Sequence, residues 1–99
     1  MTPRHGTGKA DANQAEIVAW LRSIPGVYVQ VLSQYPKQLD LLVYCNSVLT
    51  WWEIKPPGKY TLTQAEREIY DACPGVVFVV QSISDAWRIL NNAHGLGTS

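Results

Sequence analysis

Three ionisable residues interrupt the most apolar part of the chain, and their types suit phosphate chemistry. Asp40 opens a first apolar run, and Glu53 and Lys55 close a second one. Carboxylate oxygens are the ligands that hard divalent cations such as Mg²⁺ prefer. An ammonium beside them can hold an attacking water or offset negative charge that develops on a phosphate. These side chains are therefore candidates for a metal-assisted hydrolytic site, provided that the fold brings them together.

A β-hairpin is the element that would bring them together. Two apolar runs, 39–45 and 48–55, are joined by an Asn-Ser pair, which is a hairpin signal. With the turn at that pair, antiparallel strands place Asp40 opposite Glu53. Side chains at Glu53 and Lys55 point to the same face, because strand side chains alternate. The three are then expected to converge at one end of the hairpin.

A simpler interpretation is that the strands merely end in charged residues where they emerge into solvent. The runs 41–43 and 48–52 are too apolar for an exposed ribbon and predict strands covered on both faces. Trp51 and Trp52 then point to opposite faces. One is expected to pack under a helix, and the other to serve the far side of the core or a subunit interface. Spacing alone leaves the metal site and the plain strand end as alternatives.

Periodicity and capping patterns predict the elements around the hairpin. They are a helix over 12–23 with Asp11 as its cap, a strand over 27–32, a helix over 64–73, a strand over 76–80 and a last helix opening at Ser82 or Ser84. The strand over 76–80 should pair in parallel with the strand of Glu53, because a helix connects them. The order α-β-β-β-α-β-α predicts an α/β fold with a mixed sheet and helices on its faces.

The helix over 64–73 begins with a recognisable start signal. Thr63-Gln64-Ala65-Glu66 is a capping-box pattern, in which Glu66 serves simply as the N3 partner of the cap. Ile69, Tyr70 and Cys73 are expected to bury this helix.

The length and composition of the chain predict one small domain. It has 99 residues, of which 46% are apolar, and its formal net charge is zero. That charge does not favour a nucleic-acid binder, although local basic patches count for more than the sum. Residues 1–10 are predicted to be a mobile basic arm and residues 92–99 a frayed tail. Small domains often gain stability by self-association, so a homodimer or larger homo-oligomer is expected.

The remaining composition points to an intracellular protein. Cys45 and Cys73 lack metal-ligand spacing and are interpreted as free thiols, rather than zinc ligands or a disulfide. His5 and His94 fall in the predicted tails. With no signal peptide and no apolar run near membrane-spanning length, a cytoplasmic location and no membrane partner are expected.

The ordered motifs resemble those of a known family. Asp40 followed by Glu53-Ile54-Lys55 looks like the core of the PD-(D/E)xK nuclease superfamily. The chain is similar nearly end to end to small stand-alone phage-type members of its VRR-NUC group. The matching segments are 11–16, 39–43, 53–59, 62–68 and 75–82. Leu39 stands where family members often carry a proline.

The resemblance implies a restriction-endonuclease-like α-β-β-β-α-β core with a C-terminal helix, and metal-dependent hydrolysis of DNA. Mg²⁺ or Mn²⁺ would be bound by Asp40, Glu53 and the Ile54 carbonyl, and Lys55 would orient the attacking water. Branched or junction DNA is the implied substrate, and symmetric assembly the implied state. For a phage-encoded chain, the location would be the host cell.

The resemblance also implies two supporting acids. Glu16 of the first helix would face the active site, with Asn13 one turn earlier in contact with substrate or with Glu16. Glu66 occupies the active-site position of the second helix by register, and Gln64 would fit only if the register slipped.

Candidate DNA contacts complete the interpretation. They are Asn13, Lys9, Lys37, Lys59 and Tyr60. Lys59 and Tyr60 follow the Glu-x-Lys motif closely, whereas a solvated arm and a plain loop are the alternatives for Lys9 and Lys37. The alternative functions are a catalytically inactive DNA- or protein-binding module on a nuclease fold, and a small interaction protein whose charges merely end the strands. The intact Asp40, Glu53 and Lys55 favour an enzyme.

Overall fold

The computed structural model describes residues 9–97, with side chains from residue 12 onward. The elements are α1 (Lys9–Arg22), β1 (Tyr28–Val31), β2 (Leu41–Cys45), β3 (Val48–Ile54), α2 (Gln64–Ala72), β4 (Val77–Val80) and α3 (Ile83–Asn92). The predicted α/β class and order of elements are confirmed. α1 starts earlier than expected, so Asp11 lies inside it and the predicted arm is helical from Lys9 onward. The rest of that arm, residues 1–8, lies outside the described residues.

The four strands form one mixed sheet in the order β1-β2-β3-β4. β2 pairs antiparallel with β1. The antiparallel β2–β3 hairpin and the parallel pairing of β3 with β4 are as predicted. The β2–β3 turn falls at Asn46 and Ser47, which both have positive φ, 55° and 67°. Two such residues are typical of a hairpin turn whose twist matches that of its strands. The register pairs Leu41 with Trp52, which continues to Asp40 opposite Glu53.

The hydrophobic core lies on one face of the sheet, beneath α1 and α3. Its buried members are Ile17, Val18, Leu21, Val29, Leu41, Val43, Trp52, Ile54, Val80, Ala86, Ile89 and Leu90. α3 is capped by Ser82, whose side chain accepts a hydrogen bond from the Asp85 amide. The cap resolves the choice between Ser82 and Ser84 in favour of Ser82.

The opposite face of the sheet is only partly covered, so the prediction that the runs 41–43 and 48–52 are covered on both faces is wrong at Leu49. Tyr44 of β2 is 45% exposed and Leu49 of β3 is 51% exposed. α2 lies against β4, but none of residues 64–72 is buried. Tyr70 is exposed and Cys73 half-buried, so the expected burial of this helix is also wrong. The reason is that α1 and α3 both pack on the core face.

The C-terminal segment is packed rather than frayed as far as the structure describes it. His94 is only 3% exposed. Its Nε2 lies 2.8 Å from Thr50 Oγ1, its Nδ1 lies 2.9 Å from the Cys45 carbonyl, and its own carbonyl accepts from Asn46 Nδ2. The predicted tail at 92–99 is therefore wrong for residues 92–97, because the turn end of the hairpin offers it hydrogen-bond partners. Residues 98–99 lie outside the described part.

Two expectations about composition can be checked directly. Cys45 and Cys73 are free thiols, as predicted; the first is buried and the second half-buried. Across residues 9–97, no helix has the length and apolar character needed to cross a membrane.

Candidate functional site

Four of the predicted site residues, Asp40, Glu53, Lys55 and Glu66, converge where the hairpin meets α2. Asp40 lies just before β2, and its Oδ2 accepts a hydrogen bond of 2.8 Å from the Ile54 amide of β3. Lys55 Nζ lies 3.5 Å from Glu53 Oε2 and 3.0 Å from Glu66 Oε1. The Glu53 carboxyl also interacts with the carboxyls of Asp40 and Glu66. Asp40, Glu53, Lys55 and Glu66 are called the hairpin-end cluster below.

Burial raises the pKa of both carboxyls at this end of the hairpin, those of Asp40 and Glu53. Glu53 is 6% exposed. This burial, together with the neighbouring charge of Asp40, raises the pKa of Glu53 to about 9. Burial also raises the pKa of Asp40, although the hydrogen bond from the Ile54 amide opposes the shift. Each carboxyl thus carries a cost of ionisation that a nearby cation would reduce.

Lys55 and Glu66 form the well-matched pair of the cluster. Burial alone would lower the pKa of the Lys55 ammonium, but the hydrogen bond to Glu66 and the charge of Glu53 outweigh it and raise that pKa. Burial would raise the pKa of Glu66, but hydrogen bonds from the Thr63 amide and from Lys55 lower it. Lys55 is therefore held as a cation, and Glu66 as an anion.

Glu66 combines the two roles that the sequence left as alternatives. Thr63 caps α2 in a full capping box, in which Glu66 Oε1 accepts from the Thr63 amide at 2.9 Å. The same oxygen accepts from Lys55 Nζ. Gln64 is exposed and donates to Glu68 at 3.4 Å. The fold therefore brings Glu66, and not Gln64, to the cluster.

Two amide side chains fix the backbone behind Lys55. Asn13 Nδ2 donates to the carbonyls of Lys55 and Gln81, each at 3.0 Å. Gln81 Nε2 donates to the carbonyls of Pro56 at 2.9 Å and Gly58 at 2.7 Å. Asn13 was predicted as a substrate contact, but its amide nitrogen is engaged within the protein. Sequence reasoning missed Gln81, whose signal was its position directly after the apolar strand run.

The other predicted site residues lie outside the cluster. Glu16 is exposed, and within residues 9–97 it makes no hydrogen bond or ion pair with the cluster. Lys59 and Tyr60 are exposed on the loop that Gln81 holds. Lys37 is exposed on the loop before Asp40, with a φ of 60°. The Lys9 side chain lies outside the described part of the chain.

The kinds of ligand atom in the cluster determine which metal ions it could bind. Among the described residues, no group of three or more His, Cys, Asp or Glu side chains is arranged to hold a metal ion. Asp40 and Glu53 supply carboxyl oxygens, and Mg²⁺ commonly uses one or two carboxylates and completes its shell with water and phosphate oxygens. A divalent cation beside Asp40 and Glu53 would also offset the cost of ionising these buried carboxyls.

Comparison of the chain with protein-family models, with curated proteins and with solved structures found no match.

Proposed function

We propose that this protein is a metal-dependent DNA endonuclease of the PD-(D/E)xK type, selective for branched or junction DNA. The observation that carries the proposal is the convergence of Asp40, Glu53 and Lys55 at one end of the β2–β3 hairpin. The α-β-β-β-α-β order with a mixed sheet supports a restriction-endonuclease-like core. Selectivity for branched DNA is proposed from the resemblance to VRR-NUC proteins.

Asp40 and Glu53, with the Ile54 carbonyl, would hold Mg²⁺ or Mn²⁺. When bound, the cation supplies Lewis acidity at a phosphate oxygen and lowers the pKa of the attacking water. The hydrogen bond from the Ile54 amide fixes the Asp40 carboxylate before any ligand arrives. A fixed carboxylate contributes a preorganised ligand, which reduces the cost of binding.

Lys55 is the residue of this chain assigned to the reacting atoms. Its ammonium donates to the attacking water or to a non-bridging phosphate oxygen, and offsets charge as the transition state forms. The water gives up a proton to solvent as its oxygen bonds to phosphorus, the bond from phosphorus to the leaving sugar oxygen breaks, and that oxygen takes a proton from solvent. Glu66 positions Lys55 through the 3.0 Å contact between Oε1 and Nζ.

The loop after β3 is assigned to the DNA backbone. Lys59 and Tyr60 are exposed there, and Gln81 fixes the loop by two hydrogen bonds. A formal net charge of zero makes such local contacts the source of affinity for phosphates.

The first test is cleavage of a labelled four-way junction, a flap and a linear duplex by the purified protein in Mg²⁺, Mn²⁺ or EDTA. We expect metal-dependent cutting, strongest on a branched substrate. Lys55→Ala should lower the rate by at least about a hundredfold, because a charge aimed at the transition state is lost. Arg88→Ala, which removes an exposed cation of α3, is the matched control and should cut like wild type.

The opposite result is equally clear. If the folded protein cuts no substrate and its melting temperature does not change with Mn²⁺, the enzyme proposal fails. The non-catalytic binding module would then be the better account of the same fold.

A further inference from the structure

The two outer edges of the sheet, formed by β1 and β4, are protected to different degrees. The peptide groups along an outer edge are a template for another strand, and proteins usually block them with charged side chains, proline or a covering element. On β1 this block is present, because the Val29 carbonyl accepts a hydrogen bond of 3.4 Å from Arg22 Nη2 of α1. A strand that adds to this sheet would therefore meet less obstruction at β4.

The outer edge of β4 presents peptide groups without a strand partner in the part of the chain that the structure describes. Amides in and just after β3 donate to the carbonyls of Val76 and Val80. Because the direction of the peptide groups alternates along a strand, those of Val77 and Val79 point away from β3. The run 76–80 contains neither a charged residue nor proline. This edge therefore has the features of a site for strand addition.

A cleft lies on each side of this edge and can receive the side chains of an added strand. On the core face, the α3 cleft has a volume of about 400 Å³ and is lined by Phe78, Ile89 and Arg88, among others. On the opposite face, the α2 cleft has a volume of about 310 Å³, and Tyr70 and Asp71 are part of its lining. Successive side chains of a strand point to opposite faces, so an added strand would fill the two clefts with alternate residues.

Each cleft offers one charged group to an incoming side chain. In the α3 cleft, the Asp85 carboxylate already accepts from the Gln81 amide at 2.9 Å and from Arg88 at 3.1 Å. The Arg88 guanidinium is 62% exposed and has further N–H donors for an incoming carboxylate. In the α2 cleft, Asp71 is 63% exposed and lies 3.7 Å from Arg67, too far for a hydrogen bond. The clefts therefore favour an acidic side chain on the α3 side and a basic one on the α2 side.

We propose that the outer edge of β4 binds an extended peptide of a partner protein, with an acidic side chain in the α3 cleft and a basic side chain in the α2 cleft. The peptide adds a strand to the sheet, and its backbone pairs with the peptide groups of Val77 and Val79. These hydrogen bonds supply affinity, and the clefts supply specificity. The apolar stems of the two charged side chains lie on Phe78 and Tyr70, as the stems of long charged side chains commonly do.

The size and charge of this edge favour a short peptide over a second copy of the chain. β4 has 4 residues, so its edge is roughly 13 Å long at about 3.3 Å per residue. A stable protein interface buries about 800 Å² on each partner, and a strip of this length does not supply that area. The β4 strand of a second copy would also bring only apolar side chains to the clefts, with no charge for Arg88 or Asp71.

The test is fluorescence anisotropy of labelled peptides rich in threonine and valine, with a glutamate and a lysine three positions apart and therefore on opposite faces. Both orders of the pair are used, so that parallel and antiparallel addition are sampled. We expect the full chain to bind one order, without DNA or metal. Arg88→Glu should weaken this binding by at least about tenfold, and a lysine in place of the peptide glutamate should restore it. Lys37→Glu, at an exposed loop position, is the matched control and should bind like wild type.

A second comparison tests the backbone pairing itself. Val79→Pro removes an amide that points away from β3, and proline is tolerated on edge strands. This variant should bind the peptide at least about tenfold more weakly, with circular dichroism to verify its fold. A peptide that is N-methylated at alternate residues keeps both charges and should also lose binding, whether or not Val79→Pro folds.

The contrary outcomes are distinct. Absence of binding for both peptide orders, or binding that survives both Arg88→Glu and N-methylation, would overturn the proposal. A sedimentation mass that shows a dimer for wild type and a monomer for Val79→Pro would assign the edge to a second copy and would also overturn it. Since no DNA or metal is present, none of these results bears on the proposed nuclease activity.

Discussion

The two ends of the β2–β3 hairpin bury polar groups in opposite ways. At the turn end, Trp52 Nε1 donates to Thr50 Oγ1 at 2.7 Å. His94 Nδ1 must donate to the Cys45 carbonyl, because a carbonyl only accepts. The Nε2 lies 2.8 Å from Thr50 Oγ1, and that hydroxyl also lies 3.4 Å from the Val43 carbonyl. Each of these buried polar groups therefore has a partner.

At the other end, the hairpin-end cluster buries acids that ionise only at a cost. Its carboxyls share one ammonium, and burial raises the pKa of Glu53 to about 9. A buried network that is fully satisfied rigidifies a fold, whereas a buried acid that holds its proton above its usual pKa lowers stability at neutral pH. The turn end is therefore built as a stabilising network, whereas a cost such as that at the other end is one that proteins keep where they bind and react.

The largest expected effect tests whether the site end costs stability. Glu53→Gln should lower the rate of metal-dependent cleavage by at least about a hundredfold. In EDTA at neutral pH the same variant should unfold at a higher temperature, by roughly 4–8 °C if about 1 kcal/mol is recovered. Both follow from removing a buried acid that ionises reluctantly. Cleavage and thermal melting measure them, with the exposed Glu68→Gln as the control.

The pH dependence of stability tests whether the Glu53 carboxyl destabilises the fold. The pKa of Glu53 is raised in the folded state from 4.5 to about 9, so between those values the folded protein holds a proton that the unfolded chain releases. The stability of wild type in EDTA should therefore fall as pH rises through that window, and less so for Glu53→Gln. A variant that melts below wild type in EDTA would show instead that the Glu53 carboxyl stabilises the fold.

The next effect concerns the turn end. His94→Ala should lower the free energy of unfolding by about 2–3 kcal/mol, because Thr50 Oγ1 and the Cys45 carbonyl lose a buried partner. Urea unfolding followed by circular dichroism measures the loss. Asn92→Ala, at an exposed position nearby, is the control. An unchanged midpoint for His94→Ala would mean that the network contributes nothing to stability.

A smaller effect separates the two candidate residues of α2. Glu66→Gln keeps an acceptor for the Thr63 amide but removes the negative charge next to Lys55. The cleavage rate should fall by about tenfold, because one modest charge-assisted hydrogen bond to Lys55 is weakened. Gln64→Ala should cut like wild type, since Gln64 is exposed. The reverse ranking would indicate that α2 adopts a shifted register on substrate.

The smallest effect tests the support behind the site. Gln81→Ala removes both hydrogen bonds to the loop carbonyls of Pro56 and Gly58. Trypsin should then cleave after Lys59 about threefold faster, because local opening becomes easier. KM for DNA should rise more than kcat falls. Gln34→Ala, in an exposed loop, is the control, and equal digestion of the two variants would rule out a positioning role for Gln81.

Local rules were enough to predict that Asp40, Glu53 and Lys55 converge at one end of the hairpin. Strand alternation and the turn position place Asp40 opposite Glu53 whatever packs around them, because both rules depend only on neighbouring residues. The capping box of α2 and the parallel pairing of β4 are similarly local, since a cap spans one helical turn and a connecting helix requires a parallel return. These features could therefore be predicted from the sequence.

Tertiary packing decided the rest. An apolar run indicates that a strand is buried, but it does not indicate which helix buries it. The sequence therefore could not show that α1 and α3 pack on the same face and leave Tyr44 and Leu49 exposed. His94 looked like part of a tail because its partner Thr50 lies 44 residues away along the chain. Gln81 meets Pro56 across 25 residues for the same reason. Contacts over such separations depend on the complete fold, and no local pattern contains them.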